Sequence, residues 1–192
     1  MIDPAYVRAA VVAAFLLAAL LAARLALDTG RTDARLWRVA AIVLAALAAD
    51  RQFDTLAVVT DAARQAALEA GWYEDRRLFQ RWLVLGLGIA GLAAFVAWLR
   101  RHRRLDRTQD PRRVAGSTLV TAAVLFLVCL ALARASSQHR VDAFLRAPAA
   151  WGLRWQPVLE LLGAAVAAIG AATAMGGARR RAAAQRLPNR PS

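Results

Sequence analysis

Three polar blocks interrupt an otherwise apolar chain, and together they hold carboxylates, an imidazole, a hydroxyl, guanidinium groups and two aromatic rings. The first is Asp50, Gln52 and Asp54. The second is Trp72, Tyr73, Glu74, Arg76 and Arg77. The third is Ser136, His139 and Asp142. In acid–base chemistry Asp50 or Asp54 would exchange the proton, His139 would act as base, and Arg76 and Arg77 would clamp an anion. Asp50, Asp54, His139 and Asp142 are therefore the candidate catalytic residues. Gln52, Trp72, Tyr73, Glu74, Arg76, Arg77 and Ser136 are the candidate ligand-binding residues.

Each narrower motif has a plainer explanation. Ser136, His139 and Asp142 spell a Ser-His-Asp set on one helical face. A working triad normally draws its members from separate elements converging on one point, so three neighbours on a short helix are better read as local hydrogen-bonding partners. His139 and Asp142 are weak metal candidates. Zinc usually takes several His or Cys ligands, and the other histidine, His102, lies in a different loop. Gly86, Gly88 and Gly91 spell G-x-G-x-x-G, but no strand precedes them. They read as small residues that let helices approach closely. Gly163 with Ala167 and Gly170 with Ala174 carry the same signal. Cys129 is the single cysteine, which excludes an internal disulfide and a cysteine metal cage. No cofactor is implied by any motif.

The elements that must position these blocks are apolar runs. Val114 to Ala133 is 20 residues without a charge, Leu161 to Ala178 is 18, Trp82 to Leu99 is 18, and Ala9 to Ala23 is 15. A membrane core of about 30 Å takes about 20 helical residues, and flanking long side chains can snorkel. The expected fold is all-α: a polytopic membrane bundle of about five transmembrane helices. They are read at about 6–27, 36–54, 82–99, 114–134 and 155–177, with an amphipathic or interfacial helix at about 55–70. Residues 1–178 would form the bundle and 179–192 a basic, mobile cytoplasmic tail. Arg31, Thr32, Asp33 and Arg35 are read as a short polar loop. The strictly apolar part of the second helix, Val39 to Ala49, is only 11 residues. At 1.5 Å each it is too short to span alone, so it must carry Asp50, Arg51, Gln52 and Asp54 to the membrane boundary. Asp50, Asp54, Asp61 and Gln65 would continue as one stripe. Gly71 is read as the stop of the helix that follows.

The net charge is +13, and all 26 basic residues are arginine. Nucleic acid is excluded as a partner by position. Arginines cluster between or after apolar runs, at Arg100 to Arg113 and Arg179 to Arg190, with no aromatics interleaved. The positive-inside rule produces this distribution. It puts the N-terminus outside (periplasmic), the C-terminus in the cytoplasm, and all three polar blocks at outer helix ends. The N-terminus lacks a basic lead before its apolar run, so it reads as a retained first helix rather than a cleaved signal.

The blocks Asp50-Arg51-Gln52-Phe53-Asp54, Gly71 to Arg77 with Gln80, and Ser136 to Asp142 resemble a pattern in small polytopic bacterial inner-membrane proteins. The resemblance spans roughly residues 36–165. It implies location and architecture but no reaction. The leading expectation is a multi-pass inner-membrane protein that binds a small ligand, a lipid headgroup or a partner through its outer polar cluster. A homo-oligomer or a membrane-protein partner is compatible with that. The rivals are a membrane-embedded hydrolase-like enzyme using the same residues, and a transporter or proton path along the Asp50–Asp54 stripe. Against the site readings stand an exposed charged rim and a structural salt-bridge lattice.

Overall fold

A computed structural model describes residues 3–28, 31–69, 71, 86, 89, 91, 93, 96, 100, 111–135, 139–149 and 153–186. Six helices are bounded: α1 Pro4–Asp28, α2 Arg31–Phe53, α3 Thr55–Glu69, α4 Pro111–Ala135, α5 His139–Arg146 and α6 Trp155–Arg186. Among the described residues there is no strand, only an isolated bridge between Pro148 and Arg154. Among the described residues, three helices are long and apolar enough to cross a membrane: α1, α4 as far as Arg134, and α6 as far as Gly177. The all-α class is as expected. The expected span 82–99 lies mostly outside the described residues, although Gly86, Ile89, Gly91, Ala93 and Val96 are helical. Gly86 and Gly91, the outer glycines of the G-x-G-x-x-G spacing, are both in helical conformation.

The helix ends follow local chemistry. Asp3 caps α1: its Oδ1 accepts from Ala5 N at 2.8 Å, and Pro4 occupies the first helical position, where its missing N–H is harmless. Pro111 likewise opens α4. The polar loop expected at residues 31–35 is instead the first turn of α2. Packing draws it into helix: Trp37 is buried against Ala22 and Leu25 of α1, and Ala34 is buried as well. At its far end α6 runs past Ala178 to Arg186, so the first part of the expected tail continues the helix.

Two buried clusters give the helix directions. Val11, Phe15 and Ala18 of α1 pack with Leu44 and Ala48 of α2, Leu127 of α4 and Ala164 of α6. Further along, Ala22 and Leu25 meet Trp37 and Ala40, Val120, and Ala171 with Ala174. Thus α1 and α6 run one way, while α2 and α4 run the other.

Many buried side chains are small, while several large apolar ones face outward. Ala18, Ala22, Ala123, Ala164, Ala167 and Ala171 are buried, whereas Leu17, Leu20, Ile42, Leu162 and Ile169 are each more than half exposed. Helices in lipid gain nothing by hiding leucine, and they associate through small residues that let backbones approach. The contact between α4 and α6 is built that way. A Cβ on Gly116 would run into Gly170 O, and one on Gly170 would sit 2.8 Å from Gly116 O. Hydroxyls in these helices turn back on their own backbone: Ser117 and Thr118 donate to Val114 O, Thr121 to Ser117 O, and Thr173 to Gly170 O. Outward-facing large apolar side chains, small-residue contacts and satisfied hydroxyls all support a membrane-embedded chain.

Candidate functional site

The helix directions bring the N-terminal end of α1, the C-terminal ends of α2 and α4 and the N-terminal end of α6 to one end of the bundle. Exposed aromatics mark that end: Tyr6 on α1, Phe53 on α2, Phe144 on α5 and Trp155 on α6. Phe144 and Trp155 stack with ring centroids 5.7 Å apart. Such rings settle at a membrane–water boundary.

One to two turns inside this belt, opposite charges converge from three helices. Asp50 of α2 and Glu160 of α6 are each only 7% exposed. Arg134, near the end of α4, donates from Nη2 to Asp50 Oδ2, while its Nη1 lies 3.9 Å from Glu160 Oε1. Arg51 Nε stands 3.1 Å from Glu160 Oε2. Gln156 Nε2 donates to Glu160 Oε1 at 3.1 Å, and Thr55 Oγ1 donates to Asp50 Oδ1 at 3.0 Å. Two carboxylates and two guanidiniums thus balance locally. That is how charges withdrawn from water are normally sustained.

Thr55 reaches Asp50 because the chain turns sharply at Asp54. Asp54 adopts a left-handed conformation, φ 50°, which aspartate tolerates better than most residues. Its N–H bonds to Asp50 O at 2.7 Å and closes α2 in the manner of a glycine cap. Its carbonyl then accepts from Ala57 N and Val58 N to start α3. This break overturns the expected continuous stripe. Asp50 is buried, whereas Asp61 and Gln65 lie on a separate helix and are exposed. Gly71, with φ 73°, follows α3 as expected.

The charged groups line a cleft together with Phe15, Leu47, Leu127, Leu130 and Ala131. The recess is therefore amphipathic, with ionic groups toward the aromatic end and leucines deeper in the bundle.

Of the expected site residues, Asp50 belongs to this network. Asp54 sits at the rim, where its Oδ2 is 3.8 Å from Arg8 Nη1 and both side chains are about half exposed. Gln52 is exposed on α2 and absent from the cleft lining. Trp72, Tyr73, Glu74, Arg76, Arg77 and Ser136 lie outside the described residues. His139 and Asp142 fall on α5, but their side chains also lie outside the described set. Among the described residues no group of three or more His, Cys, Asp or Glu is arranged to hold a metal ion.

Sequence reasoning missed Arg51, Thr55, Arg134, Gln156 and Glu160 as site residues. The signal for two of them was present. Arg134 is the sole charge between Val114 and Ala135, and Glu160 the sole charge between Trp155 and Gly177. A lone ionisable group in such a stretch requires a partner.

The rim and the cleft should respond differently to substitution. Asp54→Asn removes a long, solvated ion pair and should cost no more than about 1 kcal/mol. Thermal unfolding in detergent checks this, and a markedly larger loss would mean that Asp54 does more than meet Arg8.

The chain matches no protein-family model, no curated protein and no solved structure.

Proposed function

We propose that this chain is a multi-pass bacterial inner-membrane protein that binds a small polar ligand or a lipid headgroup in its outer-face cleft, without catalysing a reaction. The observation that carries the reading is the convergence of Asp50, Arg51, Arg134 and Glu160 from three helices beside an apolar floor. A charged rim would need only exposed charge. These groups are withdrawn from water and border a recess.

In this reading the chain crosses about five times, with α2 and the stretch 82–99 joining α1, α4 and α6 in the membrane. The N-terminus lies outside and the C-terminus in the cytoplasm. Charge placement supports the orientation. Arg24, Arg35, Arg38, Arg112 and Arg113 lie toward the end of the bundle opposite the cleft, where the positive-inside rule puts arginine. Reporter fusions after Asp106, Gly71 and Ser192 should read inside, outside and inside. An outside reading at Asp106 would reverse the orientation.

Binding is tested by gentle extraction and native mass spectrometry. The parent protein should retain a small molecule or lipid in stoichiometric amount. Leu130→Trp, which fills the apolar floor and leaves every charge in place, should lose it. A parent protein that retains nothing beyond detergent would refute the binding reading.

A further inference from the structure

The chemistry of the cleft wall narrows the ligand class, given the reading of the cleft as a binding site. Asp50 and Glu160 both lie within ion-pair reach of Arg134, and Glu160 also faces Arg51. A simple anion drawn to either arginine would come against a carboxylate held within 4 Å of it. A simple cation would meet the converse. A molecule carrying both signs on a short frame escapes this problem. It exchanges partners with the wall and leaves no buried charge alone, which is the costly outcome in a dry site.

The hydrogen bonds add to this. Arg51 Nε and Glu160 Oε2 are both buried and ion-paired at 3.1 Å, but in a geometry that makes no hydrogen bond. Buried polar atoms are rarely left so. A ligand that parted this pair would have to offer one acceptor and one donor in its place. A phosphate beside a primary ammonium does so, whereas a quaternary ammonium has no N–H to give.

The third observation is depth. Glu160 lies five residues into α6 from Trp155, about 7.5 Å below the aromatic belt at 1.5 Å per residue. Below the charges the cleft continues over Leu47, Leu127 and Leu130. A soluble zwitterion would leave that floor bare, whereas the first carbons of a lipid would cover it.

We propose that the cleft takes an ammonium–phosphate zwitterion, with phosphate at Arg51 and Arg134 and the primary ammonium at Asp50 and Glu160, presented as the headgroup of a membrane lipid. The test incubates purified full-length protein with detergent micelles carrying phosphatidylethanolamine, phosphatidylcholine or phosphatidylglycerol, and separately with free phosphoethanolamine. Retention is read by native mass spectrometry and by shift in melting temperature. Phosphatidylethanolamine should be retained at least about tenfold better than either other lipid, the size expected for hydrogen bonds to charged groups. Leu130→Trp should abolish that preference while keeping the unliganded melting temperature, which separates loss of the site from loss of the fold. Free phosphoethanolamine binding more tightly than the lipid would keep the zwitterion and overturn the lipid source. Preference for phosphatidylglycerol would overturn the zwitterion while leaving a headgroup site standing. Equal retention of all three lipids, or retention of neither lipid nor free phosphoethanolamine, would overturn the site altogether.

Discussion

Arg134→Met should lower the stability of the protein by about 3–5 kcal/mol, because it leaves Asp50 and Glu160 facing each other with one guanidinium removed. Arg134 is the hinge of the network: it touches both carboxylates, its side chain is only 21% exposed, and each carboxylate is 9% exposed. Little solvent is available to screen what remains. The measurement is thermal or denaturant unfolding in a fixed detergent, with membrane abundance as a second readout. The double variant Asp50→Asn with Arg134→Met should recover most of the loss. It removes one charge of each sign and keeps the Arg51–Glu160 pair, and a buried pair replaced as a unit is often neutral. With Asp50→Asn measured alone as well, the loss in the double less the sum of the two single losses gives the coupling. A single variant as stable as the parent would show that the charges are solvated. A double variant no better than the single would show that Arg134 acts through packing of its stem.

The second large effect should come from the glycines that set the α4–α6 contact. Gly170→Val should cost about 3 kcal/mol or more, at the upper end of what overpacking does. Its new Cβ would lie 2.8 Å from Gly116 O and 2.9 Å from Leu119 Cβ and Val120 Cγ2. Backbone cannot step aside as a side chain can, so the helices must separate. Gly163→Ala should be milder, since its Cβ meets a side chain and not backbone, Leu127 Cδ2 at 2.6 Å and Cγ at 2.8 Å, although that leucine is buried. Gly176→Ala meets nothing within 4 Å and should be neutral or slightly stabilising through helix propensity. The three variants, ranked by melting temperature and protease resistance, test the packing of these helices. Equal effects at Gly170 and Gly176 would mean that the α4–α6 backbones are not in contact. Gly170→Val carries a further consequence. Arg134 and Glu160 sit on these same two helices, so separating them should also weaken ligand retention at the cleft.

Composition and run length alone determined the class of this protein. Uninterrupted apolar stretches admit only helix in lipid, since a backbone there must satisfy its own hydrogen bonds. α3 ends short of Gly71, whose φ is 73°, and α4 opens at Pro111, because glycine and proline act as local signals. Asp50 was legible as a charge withdrawn from water for a related reason: the apolar part of α2 is too short to leave it in the open. Three-dimensional packing decided the rest. Whether residues 31–35 coil or wind depended on Trp37 finding a slot against α1. Whether Asp50 and Asp61 shared a face depended on one left-handed residue, Asp54, whose φ no periodicity encodes. The identity of the site depended most on the fold. Arg134 lies 84 residues from Asp50 along the chain, and only the antiparallel run of α4 against α6 brings it to Glu160. The sequence required that each lone charge in an apolar helix find a partner. Which charge met which was left to the packing of small residues that sets where the helices touch.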